Sequence, residues 1–508
     1  MCQVEEDYHD QLERADLPSV SKKCVKCKEA PAAVVIRAGD AYCRGCFKEY
    51  FIHKFRAMLG KNRIIFPGEK VLLAVSGGPS SCSMLSQVQE GLSQSAHKKL
   101  RFLPGIVYID EGGAVGQSVE ERRRTASELQ ALFKATGFPF HILPLEQVLD
   151  LPSSVVVTAP SVPEKPSTNY KSAVDHFILT NMSNSLPPAQ QEEETPLPDV
   201  QEPKTRLLQQ LIESAKTLTA KEDLLSTLRQ HLLVHTARTQ GYSKLMLGDS
   251  CTRLAVKLLS SISLGRGAQL AQDTGFSDSR YGDIVSVRPM RDYSAKEIAF
   301  YNRMFSVPCV VVPSLDTKTS DKASVQRLTE SFVTKLQADF PSTVSTIYRT
   351  SEKLQSAGRS SSTADQMFDR CLLCMCTLDT AVGEASAFQS TLISEQLSQI
   401  KSGGSTSTET PGQNQSSVKS ESTRQCCSSA GVEDCGSTAR GGGCCNSAKA
   451  PETPDLKRLL CYSCQLTVRD LSSVDHLPQY ILSEAQRRQR RSQMREEISE
   501  FLLDDGEV

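Results

Sequence analysis

Residues 70–85 read KVLLAVSGGPSSCSML, and their pattern indicates the class of the main domain. The apolar run from Val71 to Val75 predicts a buried strand, and a helix is expected a few residues after Gly78. A buried strand, a loop without bulky side chains and a helix N-terminus together form a cradle for a phosphate group. The loop itself carries no charged residue and lacks the Gly-Lys-Ser/Thr of a Walker A loop. A tight strand-to-helix turn that binds no ligand therefore explains the same spacing.

Strand-like and helix-like segments alternate from this point onward. Further strands are predicted at 105–112, 140–145, 244–248 and 309–313. Helices are predicted at 81–94, 118–137, 220–240, 251–263, 294–305, 321–337 and 341–357. The strands are too continuously apolar for a sheet with one exposed face, so the pattern predicts an α/β protein.

Composition divides the chain into segments. We expect a mobile N-terminus (1–20), a cysteine-rich segment with a helix (21–60), an α/β domain (61–360), a second cysteine-rich segment (361–399 and 456–482) and an Arg-rich helical tail (483–508). The α/β domain contains an insertion rich in Pro, Ser, Glu and Gln near 151–205, and residues 400–455 are low-complexity. Both of these stretches are predicted to be at least partly disordered.

Charge and hydropathy point to the cytosol. The 508 residues carry a formal net charge of −1, so any nucleic-acid-binding surface has to be local. No apolar run approaches the roughly 18 residues of a membrane span, and MCQVEEDYHD at the N-terminus has no signal-peptide core. Without a secretory signal, the clusters among the 18 cysteines indicate metal binding before disulfides.

Two groups of cysteines have the spacing of metal ligands. In the first, two Cys-x-x-Cys pairs are separated by fifteen residues: Cys24, Cys27, Cys43 and Cys46. Two such turns place four thiolates around one zinc ion, and four protein ligands leave no open position, so a structural role is predicted. The alternative is that these four are unrelated buried cysteines.

The second group is spread over a longer stretch of the chain. We predict one zinc ion held by Cys371, Cys374, Cys461 and Cys464, with the low-complexity segment looped out between the two pairs. Cys376 is a spare thiol beside this set.

The order of the motifs resembles the PP-loop ATPases that thiolate tRNA. A cysteine ribbon precedes LLAVSGG, YIDEG, LMLGDS and VRPMRDYSAKEIAFY, and a second ribbon closes the chain. Within that family the sequence resembles the partner of the adenylating subunit. The resemblance covers most of the chain, apart from the first twenty residues and the two low-complexity segments.

The resemblance implies a Rossmann-like PP-loop domain, of the adenine nucleotide alpha hydrolase type, flanked by two zinc ribbons. In the family a Ser-Gly-Gly-x-Asp-Ser loop holds ATP, and the enzyme adenylates the wobble uridine (U34). Sulfur carried as a thiocarboxylate on a ubiquitin-related modifier then displaces AMP. The positions that match the nucleotide site are Ser76, Gly77, Gly78, Ser80, Ser81 and Gly248.

This chain differs from the family at the positions that bind the nucleotide and carry out the reaction. Ser80 stands in place of the loop aspartate. The family's Gly-His-Asn-x-Asp-Asp segment matches at Gly248, but Thr252 and Arg253 replace its two acids. Catalytic members also have a Cys-x-x-Cys in the α/β domain, whereas here Cys82 is the single cysteine between the loop and residue 250. The sequence therefore predicts no catalytic residues, and loose ATP binding stays open.

We interpret the chain as a cytosolic, non-catalytic partner of a catalytic thiolation subunit. It would form a heterodimer with that subunit, stabilise it and help to present tRNA. Two alternatives stay open: the chain is itself an ATP-dependent tRNA sulfurtransferase, or it is a zinc-dependent interaction protein unrelated to RNA.

Basic clusters give the interpretation local support. They are SKKCVKCK at 21–28, ERRR at 121–124, and the tail arginines Arg487, Arg488, Arg490, Arg491 and Arg495. For the tail the competing interpretation is a solvated helix face, with Glu496, Glu497 and Glu500 at helical spacing from the arginines. His231 and His235 lie one helical turn apart, but no third metal ligand accompanies them, so we predict a structural role.

Overall fold

The computed structural model defines the architecture over most of the predicted α/β domain and both cysteine-rich segments. It describes residues 23–36, 40–93, 96, 99–157, 170, 173–174, 177, 200–315, 317, 319–353, 370–378 and 456–499. The predicted mobile N-terminus, the low-complexity stretch 400–455, most of the insertion near 151–205 and the last nine residues lie outside this set.

Eight strands form two sheets in the described residues. They are β1 (Val34–Val35), β2 (Ala41–Tyr42), β3 (Lys70–Ala74), β4 (Leu103–Asp110), β5 (Phe140–Pro144), β6 (Lys244–Leu247), β7 (Ser277–Asp278) and β8 (Val285–Val287). The first two pair as an antiparallel ribbon. The other six form one sheet in the order β5-β4-β3-β6-β8-β7, parallel throughout except for β7. The predicted α/β class is confirmed.

The strand order reverses between β3 and β6. Along the chain, β4 pairs beside β3 and β5 pairs beside β4. The next strand, β6, then pairs on the opposite side of β3. Ala74 and Leu247, the last residues of β3 and β6, are register partners. In a doubly wound sheet, ligands bind outside the carboxyl ends of the strands at such a reversal. The loop that follows β3 therefore occupies the position where a nucleotide site is expected.

Helices cover both faces of the sheet. They are α1 (Arg44–Asn62), α2 (Pro79–Leu92), α3 (Gly112–Val115), α4 (Val119–Lys134), α5 (Glu202–Ser214), α6 (Leu218–Thr239), α7 (Cys251–Ser263), α8 (Leu270–Thr274), α9 (Ala295–Met304), α10 (Val325–Asp339), α11 (Pro341–Thr350), α12 (Tyr462–Arg469) and α13 (Gln479–Ser499). Ser118 and Ser294 begin α4 and α9 with reciprocal capping boxes to Glu121 and Glu297. These caps explain why the predicted helix starts agree with the structure within a residue.

One predicted strand is wrong. Residues 309–313, CVVVP, join no sheet, although Val310 N donates to Gly77 O at 3.0 Å. Val311 is 90% exposed, so the segment lies at the surface beside the β3–α2 loop and contributes little apolar burial. An apolar run alone does not distinguish an extended surface segment from a strand that pairs.

Side-chain alternation along the strands divides the core into two. Leu72 of β3 faces a core that contains α6, α13 and the buried Cys371 and Cys464. Its neighbours in the sequence, Val71 and Leu73, face the opposite core, where Phe47, Phe51 and Phe55 of α1 are buried. The two cysteine-rich segments therefore pack against opposite faces of one sheet. Among the described helices, none is both long and apolar enough to cross a membrane.

Candidate metal centres and the glycine-rich loop

The first cysteine group is assembled by a turn and a helix start. Lys28 adopts a left-handed φ of 62° and donates its N–H to Cys24 O at 2.8 Å, which closes the turn that carries Cys24 and Cys27. Cys43 caps α1, and its sulfur accepts the backbone N–H of Cys46 at 3.5 Å. All four sulfurs lie within 4.8 Å of one another, and those of Cys27 and Cys43 are 3.9 Å apart. The structure thus brings the first predicted ligand set together.

Backbone amides favour the thiolate form of Cys24 in this group. Burial opposes the charged form of Cys24, but hydrogen bonds from the amides of Cys27, Cys43 and Lys26 prevail and lower its pKa to about 6. A thiolate, not a thiol, is the form that binds a metal ion.

Helix α1 ties the first group to the sheet. Its phenylalanines at positions 47, 51 and 55 are spaced one turn apart, and all three are buried. Lys54 Nζ lies 2.8 Å from Glu297 Oε1 and 4.6 Å from the centre of the Tyr293 ring. Because Cys43 is the N-cap of α1, the packing of this helix fixes the first cysteine group to the α/β core.

The second cysteine group joins two segments that are far apart in the sequence. Met375 has a left-handed φ of 58° and donates to Cys371 O at 3.1 Å in the turn that holds Cys371 and Cys374. Cys461 precedes α12 and Cys464 lies in its first turn. These four sulfurs also lie within 4.8 Å of one another, with 3.6 Å between Cys374 and Cys461. The structure brings the second predicted set together as well.

The spare thiol of the second segment lies beside Cys374 but is not one of the four mutually close sulfurs. Cys376 is buried, and its sulfur accepts from Arg280 Nη1 at 3.4 Å. Arg280 forms ion pairs with Asp273 and Asp278 and also donates to Cys374 O at 3.2 Å. Cys376 thus connects the turn to a buried charge network on the adjacent edge of the sheet.

His231 fixes the same turn from the opposite side. It is buried in α6, and its ring nitrogens lie 2.7 Å from the Tyr480 hydroxyl and 2.8 Å from Leu373 O. Burial lowers the pKa of His231 to about 4, so the ring is neutral at pH 7. The structure supports the predicted structural role for this histidine.

The loop after β3 is held by hydrogen bonds within the protein. Ser81 Oγ accepts from Ser76 N at 3.2 Å and donates to Gly78 O at 3.0 Å. Ser80 Oγ donates to Gly248 O in the loop after β6. Gly77 has a φ of +82°, and a Cβ there would lie 3.1 Å from both the Leu129 side chain and Val310 O. The loop keeps the shape of a phosphate cradle while its hydroxyl groups bond to neighbouring main chain.

The two loops at the strand reversal are in direct contact. A Cβ at Gly248 would lie 2.9 Å from Ser81 Cα and 3.1 Å from Ser81 N. Glycine is therefore required at position 248 by close main-chain approach. All six sequence-predicted loop residues, Ser76, Gly77, Gly78, Ser80, Ser81 and Gly248, lie at this point.

Acidic residues at the carboxyl ends of the strands are paired with arginines. Asp110, at the end of β4, accepts from Arg122 Nε at 2.8 Å, and Glu111 forms a two-point ion pair with Arg229. Asp249, which follows β6, lies 3.4 Å from Arg288 Nε. Carboxylates that could hold a magnesium ion at phosphate are thus engaged with cations. The sequence did not predict these ion pairs, because the carboxylate and the arginine of each pair lie on different elements.

The basic motifs divide into structural and exposed arginines. Arg122 of ERRR is buried and also bonds Glu146 through both Nη atoms, at 2.7 and 3.0 Å. Arg488 of the tail is buried against Glu484, whereas Arg490, Arg491 and Arg495 are exposed. Arg122 and Arg488 are therefore structural, although the sequence groups them with exposed basic residues.

Comparisons of the sequence with known proteins identify one family. The sequence model of a family described as Cytoplasmic tRNA 2-thiolation protein 2 matches residues 324–466. The chain is 57% identical to Cytoplasmic tRNA 2-thiolation protein 2 of Danio rerio and 50% identical to that of Homo sapiens. These alignments cover 100% of this chain and 100% and 99% of the relatives. Among solved structures, it is similar to the U34-tRNA thiolase NcsA from Methanococcus maripaludis with its 4Fe–4S cluster. That match has a TM-score of 0.45 and 14% identity and covers 70% of this chain and 92% of the other.

Proposed function

Because the chain belongs to the family of cytoplasmic tRNA 2-thiolation protein 2, we propose that it is a subunit of the cytosolic system that 2-thiolates wobble uridine (U34) of tRNA. It pairs with a catalytic PP-loop subunit as a heterodimer and does not catalyse the reaction itself. The catalytic subunit adenylates the uridine and receives sulfur from a thiocarboxylated ubiquitin-related modifier.

The observation that carries the non-catalytic role is the state of the loop at the strand reversal. Ser80 stands where the family has an acid, and its hydroxyl donates to Gly248 O. The nearby Asp110, Glu111 and Asp249 are paired with arginines. Adenylation needs cations and carboxylates that gather the charge of a triphosphate. The carboxylates and cations around the loop are already paired with each other. ATP binding here is therefore weak and supports no catalytic turnover.

We propose that each cysteine group holds one structural zinc ion. Four thiolates placed tetrahedrally at about 2.3 Å from zinc lie about 3.8 Å from one another. The sulfur separations of 3.9 Å between Cys27 and Cys43 and 3.6 Å between Cys374 and Cys461 agree with that geometry. A 4Fe–4S cluster binds one cysteine at each of its four iron atoms, which alternate with sulfide at the corners of a cube, so the cysteine sulfurs lie much further apart. With four protein ligands, zinc has no open position and supplies folding energy rather than chemistry.

The zinc-bound segments also position basic side chains for tRNA. Lys23 and Lys28 are exposed beside the first cysteine group, and Arg490, Arg491 and Arg495 are exposed on α13. Such cations bind phosphates without reading sequence. Because α1 and the second cysteine group pack on opposite faces of the sheet, we propose two separate contact areas rather than one continuous groove.

Reconstitution tests the proposal. The chain is expressed alone and together with the catalytic PP-loop subunit, and each preparation receives ATP, thiocarboxylated modifier and unmodified tRNA. The isolated chain is expected to give no adenylated or thiolated tRNA, whereas the co-purified pair thiolates tRNA faster than the catalytic subunit alone. Adenylation by the isolated chain would establish the sulfurtransferase alternative. Full thiolation of wobble uridine in cells that lack the chain would favour an interaction protein unrelated to RNA.

A pair of variants separates the two parts of the molecule. Ser80→Ala removes the hydroxyl bond to Gly248 and is expected to leave thiolation by the reconstituted pair within about twofold of wild type. Replacing Cys24 and Cys27 by Ser removes half of the first ligand set and is expected to abolish co-purification or thiolation. A loss of activity in the Ser80 variant with normal folding would contradict a non-catalytic loop.

A further inference from the structure

Two thiols outside the cysteine groups meet beside the glycine-rich loop. Cys82 lies in the first turn of α2 and is 2% exposed, whereas Cys309 lies in the surface segment after α9 and is exposed. They are 227 positions apart in the sequence, yet both lie at the same loop, and each thiol shifts the pKa of the other. Neither residue belongs to a metal-ligand set.

One carbonyl oxygen brings the two cysteines together. Gly77 O accepts from Cys82 Sγ at 3.0 Å and from the backbone N–H of Val310, next to Cys309, also at 3.0 Å. Asn302 reinforces the arrangement, since its Nδ2 donates to Pro79 O at 2.8 Å and contacts Cys309 Sγ at 3.6 Å. The pairing is thus fixed by main-chain contacts on both sides.

The two thiols differ in reactivity. The neighbouring Cys82 side chain, helped by the amide of Asn302, lowers the pKa of Cys309 to about 7. The same contact, together with burial, raises the pKa of Cys82 far above its usual range. An exposed thiolate beside a buried protonated thiol has the features of a redox-sensitive cysteine with its resolving partner.

We propose that Cys82 and Cys309 form a reversible dithiol–disulfide pair that is oxidised by hydrogen peroxide. The Cys309 thiolate attacks one peroxide oxygen, so that an S–O bond forms, the O–O bond breaks and the departing hydroxide is protonated to water. The Cys82 sulfur then attacks the sulfenic sulfur of Cys309, an S–S bond forms and the S–O bond breaks. The released hydroxide takes the Cys82 proton and leaves as a second water. Each sulfur loses one electron, and peroxide is reduced by two.

The disulfide would tether the surface segment to the loop at the strand reversal. Val310 already bonds to Gly77, and a Cβ at Gly77 would lie 3.1 Å from Val310 O. Oxidation converts these non-covalent contacts into a covalent link between α2 and the segment after α9. A cellular reductant such as glutathione reverses it, as is usual for disulfides in cytosolic proteins.

Peptide mapping tests the proposal on the full-length, zinc-loaded chain. Trypsin yields peptides 71–98 and 304–318, which contain Cys82 and Cys309 as their single cysteines. After limited peroxide treatment, alkylation of free thiols and non-reducing digestion, mass spectrometry is expected to show these two peptides joined. Dithiothreitol is expected to restore both separately. Native mass spectrometry of the same sample is expected to show unchanged zinc content at the peroxide dose that forms the link.

Variants supply the controls. Cys251→Ser removes another buried thiol in the first turn of a helix, and the linked peptide is expected to form as in wild type. Cys82→Ala is expected to abolish the link and to slow alkylation of Cys309 at pH 7 about fivefold, since its thiolate fraction falls. Cys309→Ser, at an exposed position, abolishes the link without disturbing the core. Oxidation of Cys309 to sulfinic acid with Cys82 still free, or a link from Cys309 to another cysteine, would overturn the proposal.

Discussion

His231 Nδ1 lies 2.7 Å from the hydroxyl of Tyr480, and this contact joins α6 to α13. Since Nε2 faces Leu373 O at 2.8 Å and a carbonyl can only accept, Nε2 carries the proton and Nδ1 accepts from Tyr480. Leu373 belongs to the turn between Cys371 and Cys374. A single neutral imidazole therefore connects two helices to the second cysteine group.

His231 makes stability depend on pH. Its folded-state pKa of about 4 lies below the ordinary value of 6.5, so the unfolded chain binds more protons between these values. The contribution of neutral His231 is complete above pH 6.5 and is lost as the pH falls toward 4. Between pH 7 and pH 4.5, the stability advantage of wild type over His231→Gln is expected to narrow by about 2 kcal/mol. Urea unfolding at several pH values, with saturating zinc for both proteins, measures this difference.

The next histidine along α6 is the matched control. Burial also lowers the pKa of His235, but this side chain is only half-buried. His235→Gln is expected to show a pH-dependent difference from wild type well below that of His231→Gln. Equal pH dependence of the two variants would contradict the assignment of the effect to the buried histidine.

Metal content can be counted directly. Native mass spectrometry is expected to show two zinc ions per chain, because each group of four sulfurs fits one tetrahedral ion. Replacing Cys24 and Cys27 by Ser is expected to remove one ion and replacing Cys461 and Cys464 the other. Cys251→Ser leaves the count at two. A chain that retains no zinc when purified without chelators, or carries iron and sulfide instead, would refute the zinc assignment.

Local sequence patterns correctly predicted several strands and the starts of several helices. Continuous apolar runs identified β3 and β4, and Ser118 and Ser294 marked helix starts within a residue. The proximity of Cys374 to Cys461, 87 positions away, was also predictable because each belongs to a Cys-x-x-Cys pair, and two such pairs can hold one metal ion.

Long-range ion pairs were not predictable in the same way. Arg122 reads as part of a basic surface cluster in ERRR, yet it is 2% exposed and bonds Asp110 and Glu146. Its burial depends on where α4 packs, which the local pattern does not specify. The prediction of a strand at 309–313 failed for a related reason: the backbone of Val310 bonds to Gly77 in the loop after β3 and not to a strand. When tertiary packing determines which residues are in contact, the spacing of residues along the sequence does not reveal those contacts.

Arg122 is expected to be important for stability. In Arg122→Met the carboxylates of Asp110 and Glu146, both under 5% exposed, lose their cation, and removing one partner of a buried pair costs about 3–5 kcal/mol. Arg123→Met, at the exposed next position, is the control and is expected to change the free energy of unfolding by less than about 0.5 kcal/mol. Denaturant unfolding of the two variants measures the contrast, and equal effects would mean that Arg122 acts as a surface cation.

Gly248 gives a test of the contact between the two loops at the strand reversal. In Gly248→Ala the new Cβ would lie 2.9 Å from Ser81 Cα, so main chain has to move, and we expect a loss of about 1–3 kcal/mol. In Gly60→Ala, within α1, nothing lies within 4 Å of the new methyl group, and helix propensity predicts a gain of about 0.5–1 kcal/mol. Stability changes of opposite sign for the two variants in thermal unfolding would confirm that the loops are in contact.

Because the loop is proposed to be non-catalytic, thiolation by the catalytic subunit paired with the Gly248→Ala variant should fall only in proportion to the folded fraction of the variant. A complete loss of thiolation in folded Gly248→Ala protein would instead assign the loop a part in the reaction.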